Sequence, residues 1–528
     1  MKYLQGSSSH IILIIGFSLL LYIPGLNVPG LGGSSELRYA AVTREMLEDG
    51  HWIVPYFHGE IYVHKPPLYF WTAALLSEAG GTVTETTARL PSVLSAVGTV
   101  LVTYFLGRSL FGPRAGLLAA LMLACSPKFH SYAHAVRLDV MHTFFFTLSL
   151  ALFYYGYTNK QRLHLVLAGL ALGLMALNKG PLTLYFPMAV IFFYLVYCRD
   201  LRFLVSKDCL LGVVALLATV LAWAVPAYME GGSNYINLFY ENNCALYAEK
   251  DREWDVPLEY LGDVFVGGAP WSLLLPLVLY SYFWKERRSR EMTFLLIWVL
   301  VIFVSFSLTF QRRSPYILPL FPALIIVVAS YIDRRLGENP LKWTYSVLLY
   351  VLAVGVGLLA GMIANNPDVD RQVLMITVGF LVLLSIVVIV ASIRHKTLYV
   401  LLVASLVTLG VCAISQDVYI KPKVRQGVYD KVFCKEVSGM LKPGVPLGVY
   451  QHLSVRFAFY FYTDTQIIFI HDEKEFAEFF NSSEDAYCLV SPDVYPALSG
   501  LISSLPAKEL VSGKKKYMLV SKTKRRVQ

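Results

Sequence analysis

Long apolar runs alternate with short polar connections along most of this chain. About thirteen runs approach the twenty or so apolar residues that a bilayer-crossing helix needs. They lie near 10–28, 89–109, 113–128, 136–156, 163–179, 181–198, 208–228, 268–284, 292–310, 315–333, 343–363, 373–393 and 398–414. With the N-terminus inside, the even-numbered connections are all basic: Arg108/Arg114, Lys160/Arg162, Arg199/Arg202/Lys207, Lys285/Arg287/Arg288/Arg290, Arg334/Arg335/Lys342 and Arg394/Lys396. That regularity is what the positive-inside rule demands, and a miscount by one helix in the middle would break it. The start at Met1-Lys2 looks like a signal peptide, but no small-residue cleavage site follows the apolar stretch from His10 to Val28, so a first transmembrane helix is expected.

This arrangement leaves four segments outside: residues 29–88, Ser126–Val136, 229–267 and the tail after 415. In the first, Glu36–Glu48 has the spacing of a helix, with Ser34 or Ser35 as N-cap. A polar-apolar helix beside a membrane ordinarily lies in the interface plane. The prolines of His64-Lys65-Pro66-Pro67 fix an extended or turning segment after it. The tail shows short alternating runs at Pro446–Tyr450, Phe457–Tyr462, Ile467–Ile470, Ala486–Val490 and Tyr517–Val520, with a helical stretch at Glu473–Phe480. A small α/β domain is expected there.

Composition agrees with the pattern. Of 528 residues 56% are hydrophobic and 15% charged, where a soluble protein carries about 25% charge. The net charge of +9 belongs to the inner connections and gives no reason to expect nucleic acid. The seven cysteines form no CxxC; Cys434 and Cys488, both in the tail, are either a disulfide or two free thiols. There is no Walker A, no GxGxxG and no fixed-period repeat, so ATP-driven transport finds no support. The basic end Lys522–Arg526 is either a solvated tail or a contact for anionic headgroups.

Charges that defy the topology are candidates for function. Asp139 opens a predicted span, and residues two apart on a helix do not face each other, so pairing with Arg137 does not explain it. Lys179, in Asn178-Lys179-Gly180-Pro181, and Arg312 and Arg313, before Ser314-Pro315-Tyr316, are cations on the outer side; snorkelling or headgroup attraction is the plain alternative. With Arg38 and Lys65 they suit an anionic lipid, since a guanidinium forks onto two phosphate oxygens. Sugar transfer from a phosphate carrier needs a stabilised leaving phosphate and, for a hydroxyl acceptor, a carboxylate base. Glu36 and Asp139 are the candidate carboxylates.

At these residues the chain resembles a family. Ser35-Glu36-Leu37-Arg38-Tyr39-Ala40, Arg44-Glu45-Met46, Trp52-Ile53-Val54-Pro55 and Tyr62-Val63-His64-Lys65-Pro66-Pro67-Leu68 are similar to the first periplasmic loop of the ArnT-like (aminoarabinose transferase) family. That family belongs to the wider GT-C group with the protein O-mannosyltransferases. Ala88-Arg89-Leu90-Pro91-Ser92, Leu138-Asp139, Asn178-Lys179-Gly180-Pro181, Pro270-Trp271 and Pro315-Tyr316-Ile317-Leu318-Pro319 extend the likeness, in order, over roughly 30–330. The resemblance implies thirteen helices, a periplasmic active site and an undecaprenyl-phosphate-sugar donor. It implies donor-phosphate contacts at Tyr62, Lys65 and Tyr316 and an acidic residue near the reacting centre at Asp139. The chain departs from the family at Ser35, where Asp is usual, at His64, where Glu is usual, and around Phe239–Asn243, where a His-Glu…Arg element is usual. His64 with Glu241 would rebuild a divalent-metal site.

The expectation is therefore a mainly α, polytopic GT-C membrane unit over residues 1–414, including loops 29–88 and 229–267, and a periplasmic α/β domain over 415–528. The expected function is glycosyl transfer in a bacterial inner membrane, from a polyprenyl-phosphate sugar to lipid A, another glycolipid or a polysaccharide. Two rivals remain: a non-catalytic polyprenyl-lipid binder, and a lipid-linked-sugar transporter, which the missing inverted repeat disfavours.

Overall fold

The computed structural model describes residues 2–27, 30–244, 258–285, 289–307, 314–338, 421–451, 455–482, 484–502, 505–513 and 515–522. Ten of the thirteen predicted runs fall on helices. The runs near 343–363, 373–393 and 398–414 lie outside the described residues. Among the described residues, seven helices are long and apolar enough to cross a membrane, or eight if one bent pair is a single span. Helix Ser8–Tyr22 and helix Pro113–Ala124 are apolar but shorter.

The spans divide into an inner and an outer set. The span Ser314–Arg335 is 89% buried and the span Glu85–Phe111 is 67% buried, so they form the core of the bundle. The span Lys207–Asn243 is only 11% buried and presents Leu217, Leu221 and Val225 outward, as a lipid-facing helix does. Hydroxyls inside the bundle are satisfied locally. Ser95, Thr99 and Thr103 each donate to the carbonyl four residues back at 2.7 Å. Helix Glu85–Phe111 starts at a capping box in which Thr84 and Thr87 exchange backbone and side-chain bonds.

Three runs differ in detail from the sequence expectation. The run 113–128 ends at Ala124, and a separate short helix, Pro127–Ala133, begins with proline in its first turn. The run 208–228 continues to Cys244 with a break at Gly232, whose φ of 68° admits no helical geometry. The run 268–284 is preceded by helix Leu258–Gly267, and the two bend by 110° around the Gly268–Pro270 break.

The first loop is a built layer. Helix Gly33–Asp49 starts before either serine; Gly32 is the N-cap and no side chain caps it. A hairpin of β1 (Tyr56–Phe57) and β2 (Glu60–Ile61) follows. It turns at His58 and Gly59 with φ of 60° and 73°, the left-handed pair that suits the twist of a two-residue hairpin. The Glu45 carboxylate accepts from both turn N–H groups at 2.6 and 2.8 Å. Helix Leu68–Glu78 then leads into the second span.

Residues 421–522 hold a five-stranded sheet in the order β4-β3-β5-β7-β6. Strands β3 (Leu447–Tyr450), β4 (Ile467–Ile470) and β5 (Ala486–Val490) are parallel; β6 (Ala507–Ser512) and β7 (Lys515–Lys522) join antiparallel. Every residue of β3 and β5 is buried, as parallel strands covered on both faces are. The run Phe457–Tyr462, expected as a strand, is helix Arg456–Tyr462. Its residues are apolar or aromatic at nearly every position, so neither period is distinctive, and packing on helix Gly33–Asp49 decides. Cys434 and Cys488 are both free and buried. They sit in separate hydrophobic clusters, Cys434 with Leu447 and Leu489, Cys488 with Tyr450 and Val490 on the other face of the sheet. No disulfide can join them there.

Helix Gly33–Asp49 is covered by protein. Leu37, Ala40, Ala41 and Met46 share one core with Phe433, Phe459 and Leu519 of the C-terminal unit. Polar contacts seal the seam: Lys431 pairs with Glu85 at 2.6 Å, the Leu31 N–H donates to the Tyr462 hydroxyl at 2.8 Å, and Arg44 pairs with Asp464. The tightest point is a crossing of two glycines. A Cβ on Gly427 would lie 2.6 Å from the Leu31 carbonyl oxygen, and one on Gly30 would lie 2.4 Å from the Gly427 carbonyl carbon. Gly427→Ala should therefore push the unit off the loop and cost about 1–3 kcal/mol, the usual range for overpacking. A lowered thermal unfolding midpoint in detergent checks this; an unchanged midpoint would mean that the crossing can open without loss.

Candidate active site

The cleft of interest lies at one end of the bundle. Helix Leu138–Asn159 begins there and ends at the basic connection Lys160/Arg162; helix Arg162–Lys179 returns to it. By the same alternation the first loop, Asn243 and Ser314–Tyr316 lie at this end, and the basic connections lie at the other. The cleft encloses about 300 Å³.

Its floor is an ion pair. Lys179 Nζ lies 2.6 Å from Asp139 Oδ1, with both side chains largely buried. Asp139 is in the first turn of its helix and Lys179 in the last turn of the next, so each charge also meets the helix end of opposite sign. Asn178 locks the two ends together, its Nδ2 donating to the Leu138 carbonyl at 2.9 Å. Past Lys179 the chain turns at Gly180, with φ of 106°, into Pro181. The Lys179 ammonium also sits over the Tyr316 ring, 4.4 Å from its centroid.

The walls come from the first loop and from the end of helix Lys207–Cys244. Ser35, Arg38 and Tyr39 enter from one side; His64 and Lys65 enter from the extended segment that the two prolines hold. Asn243 closes the far side, accepting from Lys65 Nζ at 3.4 Å. Arg137 stands next to the Asp139 helix, its backbone N–H donating to Ser92 Oγ at 3.2 Å. Among the described residues, four cationic side chains, Arg38, Lys65, Arg137 and Lys179, thus line the cleft with a single carboxylate, Asp139. His64, exposed at the mouth, has a lowered pKa, first from partial burial and then from the Arg38 and Lys65 charges.

Six of the residues singled out in the sequence meet here: Arg38, His64, Lys65, Asp139, Lys179 and Tyr316. Glu36 does not. It is buried beneath the cleft, facing Arg89 and Arg137 and accepting the Val136 and Gly32 N–H groups; burial still raises its pKa overall. Tyr62 is buried behind His64, ring centroids 5.4 Å apart, and does not line the cleft. Glu241 is exposed and outside the cleft. Arg312 and Arg313 lie outside the described residues. The sequence reading missed Asn243, and it saw Arg137 only as a partner for Asp139. Closeness to Asp139 was a usable signal for Arg137; for Asn243 the signal was its place at the end of Phe239–Asn243, where the chain departs from the family resemblance.

The donor set does not suit a divalent metal. His64 stands between two cations, Asp139 is held by Lys179, and Glu241 is elsewhere. Among the described residues no group of three or more His, Cys, Asp or Glu gathers. An anion fits the same surroundings well.

The profile of the dolichyl-phosphate-mannose-protein mannosyltransferase family matches residues 64–223. The chain is 29% identical over 401 residues to an undecaprenyl phosphate-alpha-4-amino-4-deoxy-L-arabinose arabinosyl transferase of Yersinia enterocolitica, covering 72% of this chain and 71% of that protein. It is 32% identical over 336 residues to the enzyme of the same name from Pseudomonas aeruginosa strain UCBPP-PA14, covering 62% and 60%. An uncharacterized protein of Aquifex aeolicus is 31% identical over 60% of this chain and 62% of its own. The chain thus spans from about three fifths to just over two thirds of these relatives' length. The crystal structure of ArnT from Cupriavidus metallidurans bound to undecaprenyl phosphate aligns with a TM-score of 0.76, over 98% of both chains at 22% identity. Its apo state aligns with a TM-score of 0.77.

Removing half of the floor pair should be worse than removing both halves. Asp139→Asn leaves the Lys179 ammonium buried without its counter-charge, at a cost of about 3–5 kcal/mol. Adding Lys179→Met should recover much of that, read as thermal midpoints in a double-mutant cycle. Strictly additive losses would show that the pair is not coupled.

Proposed function

The chain belongs to the ArnT-like branch of the GT-C glycosyltransferases, and from that premise we propose that it moves a sugar from a polyprenyl phosphate, undecaprenyl phosphate, to an acceptor outside the inner membrane. The observation that carries this reading is the charge balance of the cleft: four cations and one carboxylate among the described residues at the end of apolar spans. A membrane-embedded phosphodiester with a sugar attached needs those groups in that place.

In the transfer, the bond between the sugar C1 and the donor phosphate oxygen breaks and a bond from C1 to the acceptor oxygen forms. Undecaprenyl phosphate leaves with the electron pair. Lys65 and Arg38 hold the leaving phosphate, with Tyr316 and Lys179 beside it; Arg312 and Arg313 are candidates for the same role on their sequence alone. Placing positive charge where negative charge develops is the largest effect such a site supplies. Asp139 takes the proton of a hydroxyl acceptor or orients it; a phosphate acceptor, already ionised, needs no base. Glu36 acts as a structural anchor for Arg89 and Arg137, because its place beneath the cleft keeps it from the substrate. Lipid A, another glycolipid or a polysaccharide meets the chemistry of the acceptor.

The placement follows from charge. The described basic connections, such as Lys160/Arg162 and Arg199/Arg202/Lys207, lie at the helix ends opposite the cleft, and by the positive-inside rule this supports a periplasmic cleft. Thirteen spans over residues 1–414 and a periplasmic unit over 415–528 complete that arrangement. A second reading, a non-catalytic binder of polyprenyl lipids, draws on Ser35, which lines the cleft where the family resemblance calls for an aspartate.

Purified protein with radiolabelled undecaprenyl-phosphate sugars and a lipid extract of the host is the test. Transfer should fall by about a hundredfold or more in Lys65→Ala, the scale of losing a stabiliser of developing charge, and also in Asp139→Asn. Donor binding without transfer across a broad panel of donors and acceptors would leave the binder. Binding of the phosphodiester donor, whose charge is constant above about pH 3, should tighten as pH falls below about 6.5 and His64 gains its proton. The gain should stay within about fivefold, the worth of an exposed charge pair. In His64→Gln the dependence should vanish; its persistence would place the titrating group elsewhere.

A further inference from the structure

A second lysine–carboxylate pair stands behind the cleft. Lys128, in helix Pro127–Ala133, has a side chain only 7% exposed, and its Nζ lies 2.8 Å from Asp263 Oδ2 of helix Leu258–Gly267. Its stem is held as closely as its head: a Cβ on Gly267 would lie 2.8 Å from both Cβ and Cδ of Lys128. A buried ammonium is costly without its counter-charge, so the pair ties the two helices together. Asp263 spends one oxygen on Lys128. The other, Oδ1, accepts from the Ser314 hydroxyl at 3.2 Å. Ser314 opens the 3-10 helix Ser314–Leu320, and the next two residues, Pro315 and Tyr316, line the cleft. The Tyr316 ring in turn carries the Lys179 ammonium. Residues 314–316 are thus bracketed by two ion pairs, Lys128–Asp263 on one side and Lys179–Asp139 on the other. Tyr132 lies between them: its hydroxyl is within electrostatic reach of Ser314, Asp263 and Asp139, and its ring meets the Arg137 guanidinium at 5.8 Å.

We propose that Asp263, anchored by Lys128, is a positioning residue for the donor phosphate: it holds Ser314 so that Tyr316 stands at the edge of the cleft. This rests on the reading that the cleft holds a polyprenyl-phosphate donor. The task calls for a carboxylate. Its two oxygens accept from an ammonium and a hydroxyl at once, whereas an amide has a single oxygen. Asn in that place would hold one of the two donors and turn its NH2 on the other. The link between Ser314 and Tyr316 is also stiff. Pro315 lies between them with its φ fixed by the ring, so a shift at Ser314 passes on to Tyr316 and is not absorbed on the way. The two ion pairs then have separate roles. Lys179–Asp139 builds the floor, and Lys128–Asp263 sets where the wall that carries Tyr316 begins.

The test titrates undecaprenyl phosphate, in detergent at fixed salt, against the full-length protein and its Ser314→Ala, Ser314→Thr, Asp263→Asn, Tyr316→Ala and Lys65→Ala variants. Thermal midpoints are recorded alongside. Ser314→Ala removes the link without unpairing Lys128. It should weaken binding about threefold to tenfold, the worth of one hydrogen bond, and leave the midpoint near the parent's. Ser314→Thr keeps the hydroxyl and should bind like the parent. Asp263→Asn should weaken binding at least as much as Ser314→Ala and should also lower the midpoint, because Lys128 loses its counter-charge. In a Tyr316→Ala background neither change should weaken binding further, since both act through that ring. A merely structural role would make binding follow the midpoint, with Asp263→Asn impaired and Ser314→Ala like the parent, and would overturn the proposal. Equal losses with and without the Tyr316 ring would overturn it too. Should Asp263→Asn fail to fold, Ser314→Ala against Ser314→Thr carries the comparison alone. If Lys65→Ala weakens binding while the Ser314 and Tyr316 variants bind like the parent, the proposal falls and the donor reading stands. If Lys65→Ala itself binds like the parent, the donor reading falls and the proposal with it.

Discussion

The cost of leaving a charge at membrane depth without a partner organises this molecule. Hydrocarbon offers an ion nothing, so ionisable groups collect at helix ends, where partners, dipoles and water are within reach. The pair of Asp139 and Lys179 shows how the chain meets that cost. One residue opens a span, the other closes the next, and the pair at 2.6 Å joins two antiparallel helix ends. Asn178 and the Gly180-Pro181 turn keep those ends from sliding. Everything else in the cleft is arranged around that fixed point: Tyr316 lies on the ammonium, and Arg137 lies two residues before the carboxylate.

A membrane bundle alone would give the cleft only a floor. Its walls are the first loop, and a loop of that length needs a core of its own. The C-terminal unit supplies it. Leu37, Ala40 and Met46 of the loop helix are buried together with Phe433, Phe459 and Leu519, so loop and sheet share one apolar interior. Burial of that kind is worth roughly 25 cal/mol per Å². The Gly30–Gly427 crossing, the pairs Lys431–Glu85 and Arg44–Asp464, and the Tyr462 hydroxyl on Leu31 then set the register. The segment carrying Arg38 is held from above by the sheet unit, and the segment carrying Lys65 is held from the side by Asn243.

Much of this was legible in the sequence, and what was not has physical causes. Apolar length located ten helical runs, and seven or eight of the described helices are long and apolar enough to cross a membrane, because the bilayer imposes one length on every helix that crosses it. The out-of-trend charges led to Asp139, Lys179, Lys65 and Arg38 because such charges are costly and need a reason. Sequence did not show that Asp139 pairs with Lys179, forty residues away, because no local spacing relates the start of one helix to the end of the next. Glu36 looked catalytic because of its place in a motif; only its packing against Arg89 and the Val136 N–H shows that it faces inward. The run Phe457–Tyr462 was ambiguous because a peptide apolar at every position has no period. Asn243 lay in a segment marked only by its departure from the family, and its part was not legible there, since it lies in which two carbonyls flank the amide.

The departures at Ser35 and His64 change the electrostatics of the cleft in one direction. Each replaces an expected carboxylate by a group without negative charge, so Asp139 is the only acidic side chain among the described residues that line it. Fewer carboxylates mean weaker activation of an acceptor hydroxyl and a stronger hold on anions. The second effect serves the leaving phosphate directly. The first matters only when the acceptor arrives with its proton. On the proposed reading, a cleft so charged would suit an acceptor that is itself ionised, such as a phosphate, where the reacting oxygen needs orientation more than deprotonation. Arg137, which faces the buried Glu36 and lines the cleft two residues before Asp139, would be a cation for that orientation on the same reading.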